Sequence, residues 1–471
     1  MTMSIDESVG LARLTQLLEA VQRQARRENR PLLASLTEPM PAIDPLTFFH
    51  AAASFRERAL WFQPATNFAL VSVGVAQSIE STGIDRFERA RTAWRTLLDG
   101  AHIDGVTGKT TGPLLLGGFA FDPERVPDGQ WDGFPAARFV LPRIMLTLNG
   151  SDCRVTQNVL LWPDSDAAAE SLALARELDL LRDASSSQLQ PARAATLETS
   201  EVRPPAEWQA IVADAANAIR AGEMQKVVLA REVYLQADAA LDITAALERL
   251  SATYPTCYVF AMARGERTFL GATPERLVRF EDGELTAACL AGSERRGATA
   301  DEDRQLGESL WASEKNREEH DIVVRVLREG LGSLCDELTI PDEPVLLSVS
   351  NVHHLYTPVS ARPRAGVGLL DAVERLHPTP AVGGFPRETA LGFIREHEGF
   401  DRGWYAGSIG WLGHAGDGEF AVALRSALVD GANAALFAGC GIMGDSDPER
   451  EYDETWLKFR PMLAALGGKA H

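Results

Sequence analysis

The chain has 471 residues, with 46 Lys plus Arg against 66 Asp plus Glu and a formal net charge of −20. That length holds a large core, arranged as two or three domains or as one large α/β unit. The charge excludes nucleic acid and anionic membrane surfaces as general partners, since both select basic patches, and an anionic substrate would need cations gathered locally.

Five cysteines with no C-x-x-C pair are an odd set, unlike a disulfide framework, and they fit a reducing cytoplasmic location. The first residues carry Asp6 and Glu7 rather than a basic segment followed by an apolar one, so no signal peptide is expected. No run approaches the ~18 apolar residues of a membrane span.

In chain order, residues 11–28 read as a helix with arginines toward its C-terminal end, where the helix dipole favours them. Residues 59–63 and 68–76 read as strands and 87–98 as an amphipathic helix. Residues 114–122 form a buried strand in which Gly117 and Gly118 permit close approach of another backbone. Residues 138–148 and 154–162 follow as strands and 165–181 as a helix. Residues 1–203 concentrate no titratable groups and read as scaffold. The Ser-, Ala-, Pro- and Thr-rich stretch 184–205 reads as a linker or long loop leading into a second half, 204–471.

That second half opens with a helix carrying Trp208, Ile211, Val212, Ala215, Ala218 and Ile219 on one face, and Gly222 stands where a left-handed cap is wanted. Lys226 then begins the β-rich run Val227, Val228, Leu229. A lysine at a strand mouth is ordinarily a solvated charge. In Gly271-Ala-Thr-Pro-Glu275, Pro274 fixes the backbone just before Glu275. A turn glutamate is usually solvated, yet a rigid turn beside apolar strands also holds a carboxyl ready for proton donation. Glu281-Asp-Gly-Glu284 signals a hairpin.

The helix from 314 to about 331 has the stripe Ile322, Val323, Val326, Leu327, Leu331, which places Glu319 on the apolar face. Such a carboxylate needs a partner, an arginine or a metal. His353 and His354 precede an apolar run, the usual setting of hydrogen-bonded structural histidines. The Pro- and Gly-rich stretch 376–386 reads as an ordered loop that shapes a pocket. A strand over 419–428 would set Ala421, Ala423 and Arg425 on one face, either leaving room for a ligand or marking an edge-strand charge. After a hairpin at Asp430-Gly431, Gly439-Cys-Gly441 offers unobstructed backbone N–H groups, a candidate carboxylate nest. In the last helix Glu454 and Lys458 stand four apart, which alone is an ordinary surface pair. Tyr452, Trp456, Leu457, Phe459 and Met462 leave that helix little wet face.

Residues from about 205 to 465 resemble the chorismate-utilising enzymes, the group of isochorismate, anthranilate, aminodeoxychorismate and salicylate synthases. The resemblance rests on Lys226-Val-Val-Leu-Ala-Arg231, Gly271-Ala-Thr-Pro-Glu275, Leu290-Ala-Gly-Ser293, Ser313-Glu-Lys-Asn-Arg-Glu-Glu-His320 and Val352-His-His-Leu355. It continues through Leu376-His-Pro-Thr-Pro380, Tyr405-Ala-Gly-Ser-Ile-Gly410, Gly439-Cys-Gly-Ile442, Asp445-Ser-Asp-Pro-Glu449 and Glu454-Thr-Trp-Leu-Lys458. More loosely, Gly117-Gly-Phe-Ala-Phe-Asp122 is similar to the first half of that family.

The resemblance implies an α/β (α+β) fold, a single large unit of two packed, mainly antiparallel sheets with outer helices, like anthranilate synthase component I. The site would lie between the sheets. It implies Mg²⁺ held by Glu319 and Glu454, with Arg425, Lys458 and the Gly439 and Gly441 amides on the two carboxylates of chorismate. Lys226, as a neutral amine, would be general base toward a water attacking C2, and Glu275 the acid toward the departing C4 hydroxyl. His354, Thr379 and Tyr405 would line the pocket. No redox change occurs, so neither nicotinamide nor flavin is implied.

Within the group, Lys226 stands where anthranilate and aminodeoxychorismate synthases have glutamine, and Ala291 where the latter usually place a lysine. Ala381 and Val382 occupy positions where salicylate synthases commonly carry threonine and a small residue. The pattern is most like that of isochorismate synthases serving menaquinone or siderophore synthesis, isomerases of the hydroxymutase type. The alternatives are a salicylate synthase, which also eliminates pyruvate, and a silent chorismate-binding paralogue, against which the intact acid, base and metal positions stand. A synthase needing a glutaminase partner is a third. The expected partner is chorismate, without nucleic acid, membrane or glutaminase subunit, and the expected state is a cytoplasmic monomer. Cys440 departs from the usual alanine between the glycines, and Asn316 from an aspartate often seen in that helix.

Overall fold

The computed structural model describes residues 5–125, 129–185, 196–348 and 352–468, and in it two large sheets face each other across an apolar core. The 13-stranded sheet runs from Leu197–Glu201 through Lys226–Ala237, Asn433–Ile442, Ser426–Asp430, Arg267–Thr273 and Tyr258–Arg264. It continues into Glu57–Gln63, Phe68–Val73, Ile144–Asn149, Asp152–Leu161, Leu32–Pro39 and His102–Gly105. The 10-stranded sheet is built around Val352–Pro363, Glu284–Arg295, Arg276–Glu281, Gly418–Val422, Ser408–Gly413 and Leu114–Phe119. Pairing is antiparallel except between Leu32–Pro39 and His102–Gly105. Strands from before and after residue 203 share both sheets.

The period of two along each strand builds two cores. In Phe68–Val73, Leu70 points into the space between the sheets, while Ala69, Val71 and Val73 pack on the other face. Against that other face lie Leu14, Leu18 and Val21 of the helix Ile5–Glu28 and Leu174 and Leu178 of the helix Ala167–Ser185. The inter-sheet layer is filled by large rings, among them Trp61, Phe119, Phe139, Phe260, Phe269 and Phe420. Such packing fixes the two sheets relative to each other.

Two strands expected as continuous are each broken between the sheets. The stretch 138–148 divides into Ala137–Leu141 in the second sheet and Ile144–Asn149 in the first. Likewise 419–428 divides into Gly418–Val422 and Ser426–Asp430, on opposite sides of the core. The alternation of apolar residues persists through each crossing, so periodicity alone cannot separate one long strand from two short ones. The linker is also shorter than expected. Leu197–Glu201 is an edge strand on Lys226–Ala237, and residues 186–195 lie outside the described residues.

Candidate active site between the sheets

Two crossings of the chain from sheet to sheet lie side by side. Thr273 ends a strand of the first sheet, Arg276 begins one in the second, and Glu275 sits in the turn between them. The Thr273 hydroxyl donates to the Val422 carbonyl at 2.6 Å and accepts from the Glu275 N–H at 3.2 Å, while the Val422 N–H donates to the Glu275 carbonyl at 3.0 Å. The second crossing, residues 423–425, is thereby bound to the first. Arg425 lies in that crossing with φ +49°, rather than on a strand face beside Ala421 and Ala423. A left-handed non-glycine residue costs local strain and is kept where surrounding structure determines it.

Glu275 keeps a partly accessible surface, yet protein packs densely around its carboxyl. Partial access does not restore bulk hydration to a carboxyl so packed. Burial pushes the carboxyl up to about 7, against the lowering pull of Lys226, Lys458 and Arg425. These three cations therefore act electrostatically on the Glu275 carboxyl.

Lys226 is the first residue of its strand and 1% exposed, not solvated. Its Nζ donates to Glu319 Oε1 at 2.6 Å. The partner demanded by the inward-facing Glu319 is thus a lysine, where the sequence left an arginine or a metal open. Burial opposes the ionised carboxylate of Glu319, but the charge and hydrogen bond of Lys226, helped by Lys458 and Lys315, hold it below the ordinary value.

Gly439 and Gly441 form no nest. Both lie within the strand Asn433–Ile442, opposite Ala230 and Val228 of the Lys226 strand. What they provide is clearance: a Cβ on Gly441 would stand 2.9 Å from Lys226 Cε and 3.3 Å from Glu319 Oε1. Lys458 Nζ donates to the Gly439 carbonyl at 2.9 Å and pairs with Glu454 at 2.6 Å, so the i, i+4 pair does form, on a helix that packs against this strand. The Tyr405 hydroxyl lies beside Gly439, and its ring stacks on Phe437 at 5.2 Å. Burial raises that phenol above its ordinary value.

Thr379 is buried in the pocket loop, and its hydroxyl has no hydrogen-bond partner among the described residues. The His354 side chain bonds the Gly292 backbone, and desolvation lowers its pKa. His353 is the structural histidine of the pair, between Ser348 Oγ at 2.7 Å and Asp303 Oδ1 at 3.0 Å. Cys440 is buried with its thiol pushed well up by desolvation, which removes the thiolate an oxidation would need. Asn316 caps back onto Ser313 Oγ at 2.8 Å.

Sequence reasoning missed a buried pair. Arg402 and Glu398 are each 3% exposed and bonded to each other. Arg402 also donates to the carbonyls of Val228 and Val382, both at 2.8 Å, while Glu398 accepts from the Ala230 N–H at 2.7 Å. The pair thus joins the Lys226 strand to the pocket loop. Its i, i+4 spacing was the only available signal, and surface pairs share it.

A surface groove of about 450 Å³ between the helix Ala300–Ala312 and the strand Val345–Ser348 is lined by Asp303, Ser348 and His353 but by none of Lys226, Glu275, Glu319, Arg425, Glu454 and Lys458. Among the described residues no group of three or more His, Cys, Asp or Glu is arranged to hold a metal ion. Two carboxylates with substrate and water are nevertheless the usual protein share of a Mg²⁺ site. Glu319 and Glu454 fit that share chemically, and the absent Gly441 side chain leaves room at the Glu319 oxygen.

The family described as Chorismate binding enzyme matches residues 17–467. The Isochorismate synthase MenF of Bacillus subtilis is 38% identical over 466 residues, covering 96% of this chain and 97% of the relative. The Salicylate biosynthesis isochorismate synthase of Pseudomonas aeruginosa is 39% identical over 471 residues, covering 97% of each. Among solved structures, MenF, the menaquinone-specific isochorismate synthase from Escherichia coli, matches with a TM-score of 0.78 at 28% identity. That match covers 96% of this chain and 99% of the other.

Proposed function

The chain belongs to the chorismate-binding enzyme family, and from this we propose that it is an isomerase converting chorismate to isochorismate. The observation that carries the reading is the placement of a buried lysine and a carboxyl raised to about 7 in one cluster with Arg425 and Lys458. A water adds at C2 of the ring, the double bonds shift, and the C4 hydroxyl leaves as water, so atoms and electrons balance. Lys226 takes the proton of the attacking water, and Glu275 gives one to the departing hydroxyl. Arg425 and Lys458 bind the two substrate carboxylates, as charge-assisted donors do. Gly439 and Gly441 keep the approach open, while His354, Thr379 and Tyr405 line the ring. Glu319 and Glu454 would hold Mg²⁺, which when bound supplies positive charge for a substrate carboxylate.

Residues 1–203 serve as scaffold and 204–471 as the chorismate-binding half. The protein acts in the cytoplasm as a monomer without a glutaminase subunit; its cysteines are free and buried, and no described helix is long and apolar enough to cross a membrane. The names of the relatives point to menaquinone or salicylate synthesis downstream.

The test is chromatography of products from purified protein with chorismate and Mg²⁺. Isochorismate alone is expected; salicylate with pyruvate would overturn the assigned product, and binding without turnover would favour a silent paralogue. Lys226→Ala should lower kcat by about 10²- to 10⁴-fold, the range of one general-base contribution. Near-full turnover of that variant at saturating Mg²⁺ would remove Lys226 from the role of base.

A further inference from the structure

We propose that His320 is a positioning residue that sets the Glu319 carboxylate onto Lys226 by tying its helix to two strands of the second sheet. His320 follows Glu319 on the helix Glu314–Gly332 and is 1% exposed. Its Nδ1 lies 3.1 Å from the Ala291 carbonyl on one strand, and its Nε2 lies 2.8 Å from Thr357 Oγ1 on the next. A carbonyl only accepts, so Nδ1 carries the proton. Nε2 of the neutral ring then accepts from the Thr357 hydroxyl.

The anchor point is itself shaped for the purpose. The register of the two strands slips between Ala291 and Ser293, and Gly292 has φ +78°. A Cβ there would meet Asn316 Cβ at 3.1 Å, so the helix approaches the bulge closely. From the other side the His354 ring bonds the Gly292 backbone. Bulges of this kind re-aim neighbouring groups beside active sites. Cys289, opposite Thr357 in register, completes the floor with Sγ 3.4 Å from His320 Nδ1.

Apolar packing through Ile322, Val323, Leu327 and Leu331 holds the same helix to the sheet, but dispersion contacts are non-directional. Two directional bonds at the residue next to Glu319 fix the rotation and height that a 2.6 Å contact with Lys226 requires.

This inference deepens the proposed reaction, and the two are separable by experiment. His320→Leu is expected to lower kcat about 10- to 100-fold, the usual effect of losing an orienting partner. KM for chorismate should change less than about threefold, since substrate binding groups are untouched. His320→Asn, whose amide can donate to the Ala291 carbonyl, should recover most of the loss. Thr357→Val should reproduce part of it and Thr357→Ser restore it, which serves if the leucine variant does not fold. Wild-type kcat in the folded leucine and valine variants would overturn the proposal. If the wild-type protein does not turn over chorismate, the functional reading falls, and a crystal structure of the leucine or valine variant decides the positioning claim: an unchanged Glu319–Lys226 contact overturns it, and a broken one supports it.

Discussion

Glu275→Gln should abolish turnover, by about 10²- to 10⁴-fold or more, while chorismate still binds. The amide keeps the shape of the side chain and the pinned Thr-Pro-Glu turn, whose bonds to Val422 and Thr273 run through the Glu275 backbone and the Thr273 side chain. Only the transferable proton is removed. Calorimetric binding of chorismate beside a rate measurement checks this, and loss of binding together with turnover would make Glu275 structural.

The same residue gives the reaction a pH signature. Burial raises its carboxyl from 4.5 to about 7, and in the proposed reaction the protonated form is the donor. Turnover that depends on it is therefore full below about 7 and falls as pH rises through that value. Stability follows the same sign. From about 4.5 to about 7 the folded protein holds a proton that the unfolded chain has released, so the contribution of Glu275 to stability declines as pH rises across that window. In the glutamine variant this decline should vanish from a series of urea melts, and its persistence would place the titration on another group.

The largest expected loss of stability follows Arg402→Met. The substitution leaves Glu398, 3% exposed, as an uncompensated buried charge, which costs about 3–5 kcal/mol. It also strips the Val228 and Val382 carbonyls of a donor, each worth about 1–3 kcal/mol if left unsatisfied, though the terms overlap. Val228 is two residues from Lys226, so turnover should fall with stability. Urea unfolding measures the first effect. The double variant Glu398→Gln, Arg402→Met should recover part of the loss, because the residual charge is gone while the Gln side chain can still serve the Ala230 N–H. A single-variant loss under about 1 kcal/mol would show that water replaces the guanidinium.

Local chemistry was legible before any fold was known. Gly222 has the φ of +83° that its capping position demanded, and the turns at Asp282-Gly283 and Asp430-Gly431 join paired strands as their residues predict. These features depend on a few adjacent residues. The inward aim of Glu319 was also readable, because a helical period fixes which side chains share a face.

What the chain order could not supply was which distant groups meet. His320 and the Arg402–Glu398 pair act through bonds to strands 29 to 174 residues away, and nothing in their own neighbourhoods names those partners. The sequence by itself determined the family and the reaction type that its motifs imply, and it supplied the candidate acid and base proposed above. Only the tertiary structure decided that Lys226 is buried on Glu319, that Arg425 lies in a crossing and not on a strand, and that two glycines provide clearance in a strand instead of a nest. The physical reason is that charge, turn and period are local properties, whereas burial, ion pairing and a carboxyl raised to about 7 are set by which surfaces the two sheets bring together.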